Sequence, residues 1–202
     1  MLLLNFLMLG RGRLTAVITC AGLQGWLLGG LMLEVHHTWD VHVVGVGVLT
    51  IAIKGVLIPF FLFRALRLAS IRREVEPLVG FVTTLLLAAL GTGVTVLFAG
   101  TLPLAPQHTD SLVVPTSLAT VFVGFLLLTT RRKAITQVVG YLTLENGIFL
   151  FGLTLLEAMP MMVEIGVLLD VVVGIFLMGI VMDHINREFS TINTEKLTTL
   201  RD

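Results

Sequence analysis

The sequence predicts an all-α integral membrane protein with about six full transmembrane helices and a short N-terminal apolar helix. Of the 202 residues, 56% are hydrophobic and 13% are charged, and the mean hydropathy is +1.00. A soluble domain carries about 25% charged residues. The apolar residues form continuous runs rather than alternating with polar ones, which favours spanning helices over the strands of a barrel.

Six apolar runs are long enough to span a bilayer, because a transmembrane helix needs about 20 apolar residues. They cover residues 14–33, 41–66, 78–100, 112–130, 134–156 and 161–182. Residues 1–10 form a shorter run that extends about 15 Å as a helix, roughly half the bilayer. This run is either a half-spanning helix or the end of a longer helix. Pro59 lies inside the second span, where we expect a kink that frees the carbonyl of Gly55.

The basic residues predict the orientation of the spans. All Lys and Arg residues except Lys54 fall in alternate loops or in the C-terminal tail. The intervening loops, at 34–40, 101–111 and 157–160, contain no Lys or Arg. The positive-inside rule therefore places the basic loops and the C-terminus on the cytoplasmic side of the membrane.

The composition argues against several kinds of site. The one cysteine, Cys20, excludes an intrachain disulfide and a cysteine-ligated zinc or iron–sulfur site. His36, His37 and His42 lie near Asp40 without a regular spacing, which favours a solvated loop over a metal site. The sequence has no phosphate-binding glycine loop and no nucleophile elbow. We therefore expect no catalytic residue, metal or cofactor in this chain, and no nucleic-acid partner.

Ionisable residues within the spans are the candidates for function. Lys54, Glu145 and Asp170 fall at similar central depth, and Glu164 lies nearer the outer end of the last span. Such residues are costly in a bilayer and usually mark ion or proton pathways. Burial disfavours an ionised carboxylate and a nearby lysine favours it, so these groups predict a proton relay. The alternative is a set of buried pairs that only hold the helices together. Asn146 follows Glu145 and is expected to hydrogen-bond across helices.

Several stretches resemble the membrane subunit called hydrogenase-4 component E, which belongs to group 4 nickel–iron hydrogenase and formate hydrogenlyase complexes. Residues 139–148 read VGYLTLENGI, residues 163–166 read VEIG, and Asp170 follows. The runs IKGVLIP at 53–59 and LTTLR at 197–201 also look like that family. The family has a full helix before the loop at 11–13, where this sequence has only residues 1–10.

The C-terminal third also looks like the small K subunit of respiratory complex I and its counterpart in multisubunit antiporters. The resemblance places Asp170 where that subunit has a glutamate in its last helix. Glu145 is displaced by three residues from the position of the other glutamate. The chain is thus divided into N-terminal helices at 1–133, a K-subunit-like segment at 134–183 and a cytoplasmic tail at 184–202.

The resemblance implies a membrane-arm subunit of an energy-converting hydrogenase complex, with buried carboxylates on a proton path and redox chemistry on partner subunits. The implied partners are antiporter-like and other membrane-arm subunits, a soluble nickel–iron hydrogenase module, and lipids. Two alternatives stay open. One is a subunit of a multisubunit sodium/proton antiporter, and the other is a purely structural assembly subunit.

Overall fold

The computed structural model describes residues 1–35, 41–68, 78–102 and 112–154, together with positions 172 and 179. The regular secondary structure of this part of the chain consists of helices joined by short loops, which confirms the predicted fold class. The helices are α1 Leu2–Gly10, α2 Leu14–Val35, α3 Val41–Thr50, a π-helix Ile51–Leu57, α4 Ile58–Leu68, α5 Phe81–Ala99, α6 Val113–Thr130 and α7 Ala134–Leu153.

Five helices of the described part are long and apolar enough to cross a membrane. They are α2, the continuous helix formed by α3, the π-helix and α4, and then α5, α6 and α7. They match the first five predicted spans to within a few residues. The sixth predicted span, 161–182, lies outside the described residues, as does the tail at 184–202.

The short helix α1 packs against α2, α5 and α6. Its nine residues extend about 14 Å, so it reaches roughly half the bilayer thickness. It ends where Arg11 adopts an extended backbone conformation, and α2 begins three residues later. The two helices therefore form a hairpin with arms of nine and 22 residues.

The second span contains a π-helix immediately before Pro59. The N–H of Ile58 donates to the carbonyl of Ile53, five residues back, which is the wider π pattern. Pro59 has no N–H to continue the ladder. The sequence predicts a kink at this proline, and the structure shows that the irregularity is a π-helix on its N-terminal side. Lys54 lies at the centre of that segment.

The basic loops gather at one end of the helix bundle. Arg131, between α6 and α7, donates from Nη2 to the carbonyl of Leu9 at the end of α1, over 2.9 Å. The N–H of Leu78, before α5, donates to the carbonyl of Thr130 over 3.0 Å. The loops that the sequence assigns to one side of the membrane thus lie together.

Several close backbone approaches depend on glycine, and two of them involve Gly147 and Gly25. A Cβ on Gly147 of α7 would lie 2.6 Å from the backbone nitrogen of Val121 on α6. A Cβ on Gly25 of α2 would lie 2.6 Å from the carbonyl carbon of Lys54. Small residues permit this approach in a bilayer, where van der Waals packing and interhelical hydrogen bonds hold helices together. The tight packing brings α2, the π-helix, α6 and α7 around one interior.

Two apolar clusters fill this interior. The basic-end cluster includes Met8, Ala21, Leu62, Val123 and Leu142. The far-end cluster has buried Leu28, Met32, Phe149, Leu150 and Leu153, with Met1, Val46 and Val113 packed against it. On each of five chain segments, the residues between members of the two clusters include at least one buried polar side chain. Five of these side chains, one on each segment, are joined by hydrogen bonds: Asn5, Gln24, Lys54, Thr120 and Asn146.

Candidate functional site: a buried polar layer

The polar layer consists of these five residues and Glu145, and Lys54 is its buried cation. Lys54 is 6% exposed, although it lies on a helix with a largely exposed apolar surface. Its Nζ donates a hydrogen bond to Oδ1 of Asn146 on α7, over 3.3 Å. The same Nζ lies 5.3 Å from the centroid of the Phe149 ring, one turn along α7. The amide oxygen and the ring face both stabilise an ammonium group.

Neutral side chains continue the hydrogen bonding away from Lys54. Nδ2 of Asn146 donates to Oε1 of Gln24 over 3.2 Å, and Nε2 of Gln24 donates to Oδ1 of Asn5 over 2.6 Å. Nδ2 of Asn5 donates to Oγ1 of Thr120 over 2.9 Å. The hydroxyl of Thr120 donates to the carbonyl of Thr116 over 2.7 Å. The result is one connected chain of hydrogen bonds through the π-helix, α7, α2, α1 and α6.

This connectivity follows from the physical chemistry of the bilayer. A buried polar side chain without a hydrogen-bond partner costs several kcal/mol in hydrocarbon, in the range of about 2–7 kcal/mol. Water is scarce at this depth, so the partners must come from neighbouring helices. Placing one polar side chain on each of five segments at the same level supplies those partners.

Glu145 is the buried carboxylate of the layer, with 8% of its surface exposed. It precedes Asn146 on α7, and successive helical side chains point about 100° apart. Glu145 therefore lies at the same depth as Asn146 and projects in a different direction. Lys54 and Glu145 are the ionisable members of the layer. Together they place an ammonium group and a carboxyl group at mid-depth, between the two apolar clusters.

The sequence-predicted residues divide into two groups. Lys54 and Glu145 are both buried between the two apolar clusters. The predicted cross-helix hydrogen bonding of Asn146 is confirmed. Asp170 and Glu164 lie outside the described residues. The loop residues His36, His37 and Asp40 also lie outside them, and nothing is described of the His42 side chain.

Sequence reasoning missed Asn5, Gln24 and Thr120. The prediction considered mainly ionisable residues and gave little weight to neutral amides inside apolar runs. Gln24 and Asn5 were the available signal, since each is the amide in its apolar run. Thr120 had no distinguishing signal, because threonines in these helices mostly hydrogen-bond their own backbone, as Thr84 and Thr92 do.

A second buried cation marks the basic end of the bundle. Arg131 is 2% exposed, and its guanidinium carbon lies 4.7 Å from the centroid of the Phe81 ring. With its hydrogen bond to Leu9, it ties α1 and the first turn of α5 to the α6–α7 loop. Within the described ranges, no three His, Cys, Asp or Glu side chains cluster as metal ligands would.

The comparisons with known proteins give one partial and one full-length similarity. No family model and no solved structure matches the chain. Over 100 residues, half of the chain, it is 30% identical to hydrogenase-4 component E of Escherichia coli K12 and to the same component of Shigella flexneri. That alignment covers 45% of the component's own length. The resemblance to this hydrogenase component is thus supported for half of the chain.

The full-length similarity is to the uncharacterized protein Rv0085 of Mycobacterium tuberculosis. The two chains are 32% identical over 207 aligned positions, which include all of this chain and 93% of the relative. The present chain therefore belongs to the same family as Rv0085.

Proposed function

We propose that this protein is a membrane-arm subunit of an energy-converting, complex I-related hydrogenase complex, in which it contributes buried ionisable groups to a proton path. The observation that carries the proposal is the polar layer, where Lys54 and Glu145 are buried at mid-depth between two apolar clusters. The partial similarity to hydrogenase-4 component E supports the same class of complex.

The layer has the chemistry that a proton relay needs. In general, burial disfavours the ionised form of a carboxyl group, whereas a nearby ammonium group favours it. A buried carboxyl poised in this way changes protonation when a neighbouring charge or helix moves. Asp170 and Glu164 are proposed as further members of the relay, on the last predicted span.

We also propose how the chain is divided, oriented and partnered in its complex. Residues 1–133 form the N-terminal helices, 134–183 a segment similar to the complex I K subunit, and 184–202 a cytoplasmic tail. The protein spans the inner membrane with its basic loops and its C-terminus on the cytoplasmic side. The proposed partners are antiporter-like membrane subunits, a soluble nickel–iron hydrogenase module that performs the redox chemistry, and the surrounding lipids.

The test replaces the carboxylate in the assembled complex. Glu145→Gln keeps the size of the side chain and removes its titratable proton, so we expect at least a tenfold loss of redox-driven proton translocation in inverted membrane vesicles. The matched control is Glu34→Gln, which changes an exposed acid near the end of α2. Equal proton translocation by Glu145→Gln and wild type, with normal assembly, would contradict the proposal.

The subunits that co-purify with the tagged chain separate the proposal from its alternatives. A nickel–iron subunit is expected. Several antiporter subunits without a redox partner would instead assign the chain to a sodium/proton antiporter. Loss of assembly in Glu145→Gln, with normal coupling in the complexes that still form, would assign it a structural role.

A further inference from the structure

The hydrogen-bond chain that leads away from Lys54 has no part in the relay proposed above. Asn146 touches Lys54 directly, but Gln24, Asn5 and Thr120 lie one, two and three hydrogen bonds further away. All of these residues are at most 3% exposed. Hydrogen bonds within separate pairs of helices do not explain why these side chains form one connected chain.

The explanation is that the donors and acceptors of this hydrogen-bond chain all run in one direction. The backbone carbonyl of Thr116 can only accept a hydrogen bond, so the Thr120 hydroxyl donates to it. The hydroxyl oxygen then accepts the hydrogen bond from the Asn5 side chain. Asn5 then donates with Nδ2 and accepts with Oδ1, and Gln24 repeats the pattern. The orientation of each amide is therefore set by the hydrogen-bonding group before it. At the far end, Asn146 is left with its oxygen facing Lys54.

The same chain is poorly suited to carrying protons. Between Lys54 and the Thr116 carbonyl it contains three primary amides and one hydroxyl. None of these groups changes protonation near neutral pH. A proton passing through an amide would need a high-energy tautomer at each of three successive residues. The chain therefore acts on Lys54 through geometry.

We infer that Gln24, Asn5 and Thr120 are positioning residues, which hold the Asn146 carbonyl toward the Lys54 ammonium through a directional chain that begins at the Thr116 carbonyl. Any consequence for proton transfer rests on the function proposed above. The positioning itself is measurable in the isolated full chain, so the two ideas can fail separately.

Thr120→Val provides the sharpest test, because it removes a hydroxyl four hydrogen bonds from Lys54 at nearly constant shape. The matched control is Thr84→Val on α5. Thr84 is equally buried, and its hydroxyl also bonds a carbonyl four residues back, but it has no hydrogen bond to the chain. A purely local structural role predicts the same behaviour for both variants.

The readout is the side-chain nitrogen signal of Lys54 in full-length protein labelled with ¹⁵Nζ-lysine and reconstituted in liposomes. The sequence has three lysines, Lys54, Lys133 and Lys196, so Lys54→Arg assigns the signal. We expect Thr120→Val to shift this signal by more than its linewidth, Thr84→Val to leave it in place, and Thr120→Ser to restore it. A folded Thr120→Val protein with the wild-type signal, or an equal shift in Thr84→Val, would overturn the inference.

A second measurement applies if Thr120→Val does not fold. Wild-type protein labelled with ¹³C-glutamine and ¹⁵N-asparagine should show dipolar couplings from the Gln24 amide carbon to the side-chain nitrogens of Asn5 and Asn146. Such couplings are expected because Gln24 is hydrogen-bonded to both residues, over 2.6 and 3.2 Å. If either coupling is absent, the corresponding hydrogen bond is not formed, and the inference is overturned.

Discussion

Helices α7 and α5 are both long enough to cross a bilayer, but they meet different surroundings. In α7, 61% of the spanning window is buried within the protein, against 17% in α5. The buried helix carries Glu145 and Asn146, and the latter bonds to two other helices. The polar side chains of α5 are threonines, and Thr84 and Thr92 bond to carbonyls of their own helix.

This difference shows where a membrane protein can bury polar side chains. A side chain such as Asn146 lowers its burial cost only if other helices supply partners. Helix α7 is enclosed by α2 and α6 and has those partners. Helix α5 instead exposes large apolar side chains, among them Leu90 at 68% and Leu97 at 76%. Such a face suits lipid tails, which need no polar partner.

The largest expected effect contrasts glycines on these two helices. Gly147→Ala on α7 places a Cβ 2.6 Å from the Val121 nitrogen and 2.8 Å from the Ser117 carbonyl oxygen. Backbone atoms cannot move aside without separating α6 from α7, so we expect a loss of about 3 kcal/mol in the free energy of unfolding, at the upper end of overpacking costs. Reversible unfolding in detergent–lipid micelles measures the loss.

Gly93→Ala on α5 is the matched control, since a Cβ there meets nothing within 4 Å. Alanine favours a helix over glycine by about 0.5–1 kcal/mol, so this variant should be neutral or slightly more stable. Equal losses for both substitutions would show that α7 is no more tightly enclosed than α5.

A smaller effect is expected where α5 does join the interior. Its first residue, Phe81, lies under the guanidinium of buried Arg131. Arg131→Lys keeps the charge but loses the planar fork that bonds Leu9 and stacks on the ring, for an expected cost of about 2 kcal/mol. Arg132→Lys, at the next and exposed position, should change stability little. Equal unfolding midpoints for the two variants would refute an anchoring role for Arg131.

The sequence was sufficient to predict the five spans that the structure describes, because each is a run of apolar residues with charged or proline-rich ends. The depth of Lys54 and Glu145 followed from counting residues within those runs. Asn146 was recognised because it follows a buried acid. These inferences need only the position along one helix and the thickness of the membrane.

The remaining features depend on how helices face each other, which the sequence does not reveal. Nothing in a run of apolar residues shows that Asn5 of α1 and Gln24 of α2 meet at one level. The π-helix was also not predicted, since Pro59 indicates an irregularity but not its form. Gly25 permits the close approach of α2 to that segment, and only the packed structure shows which backbone it meets.

The smallest expected effect tests the aromatic neighbour of Lys54. Phe149→Leu on α7 removes the ring 5.3 Å from Nζ and keeps an apolar side chain, at an expected cost of about 1 kcal/mol from the lost cation–π contact. Phe98→Leu on α5 makes the same change at a side chain that is 53% exposed, and little change in stability is expected. The Lys54 nitrogen signal should move in the first variant only. If both variants unfold at the same temperature and neither moves that signal, the Phe149 ring is ordinary packing. The Lys54 ammonium group would then be stabilised by groups other than this ring, among them the Asn146 amide.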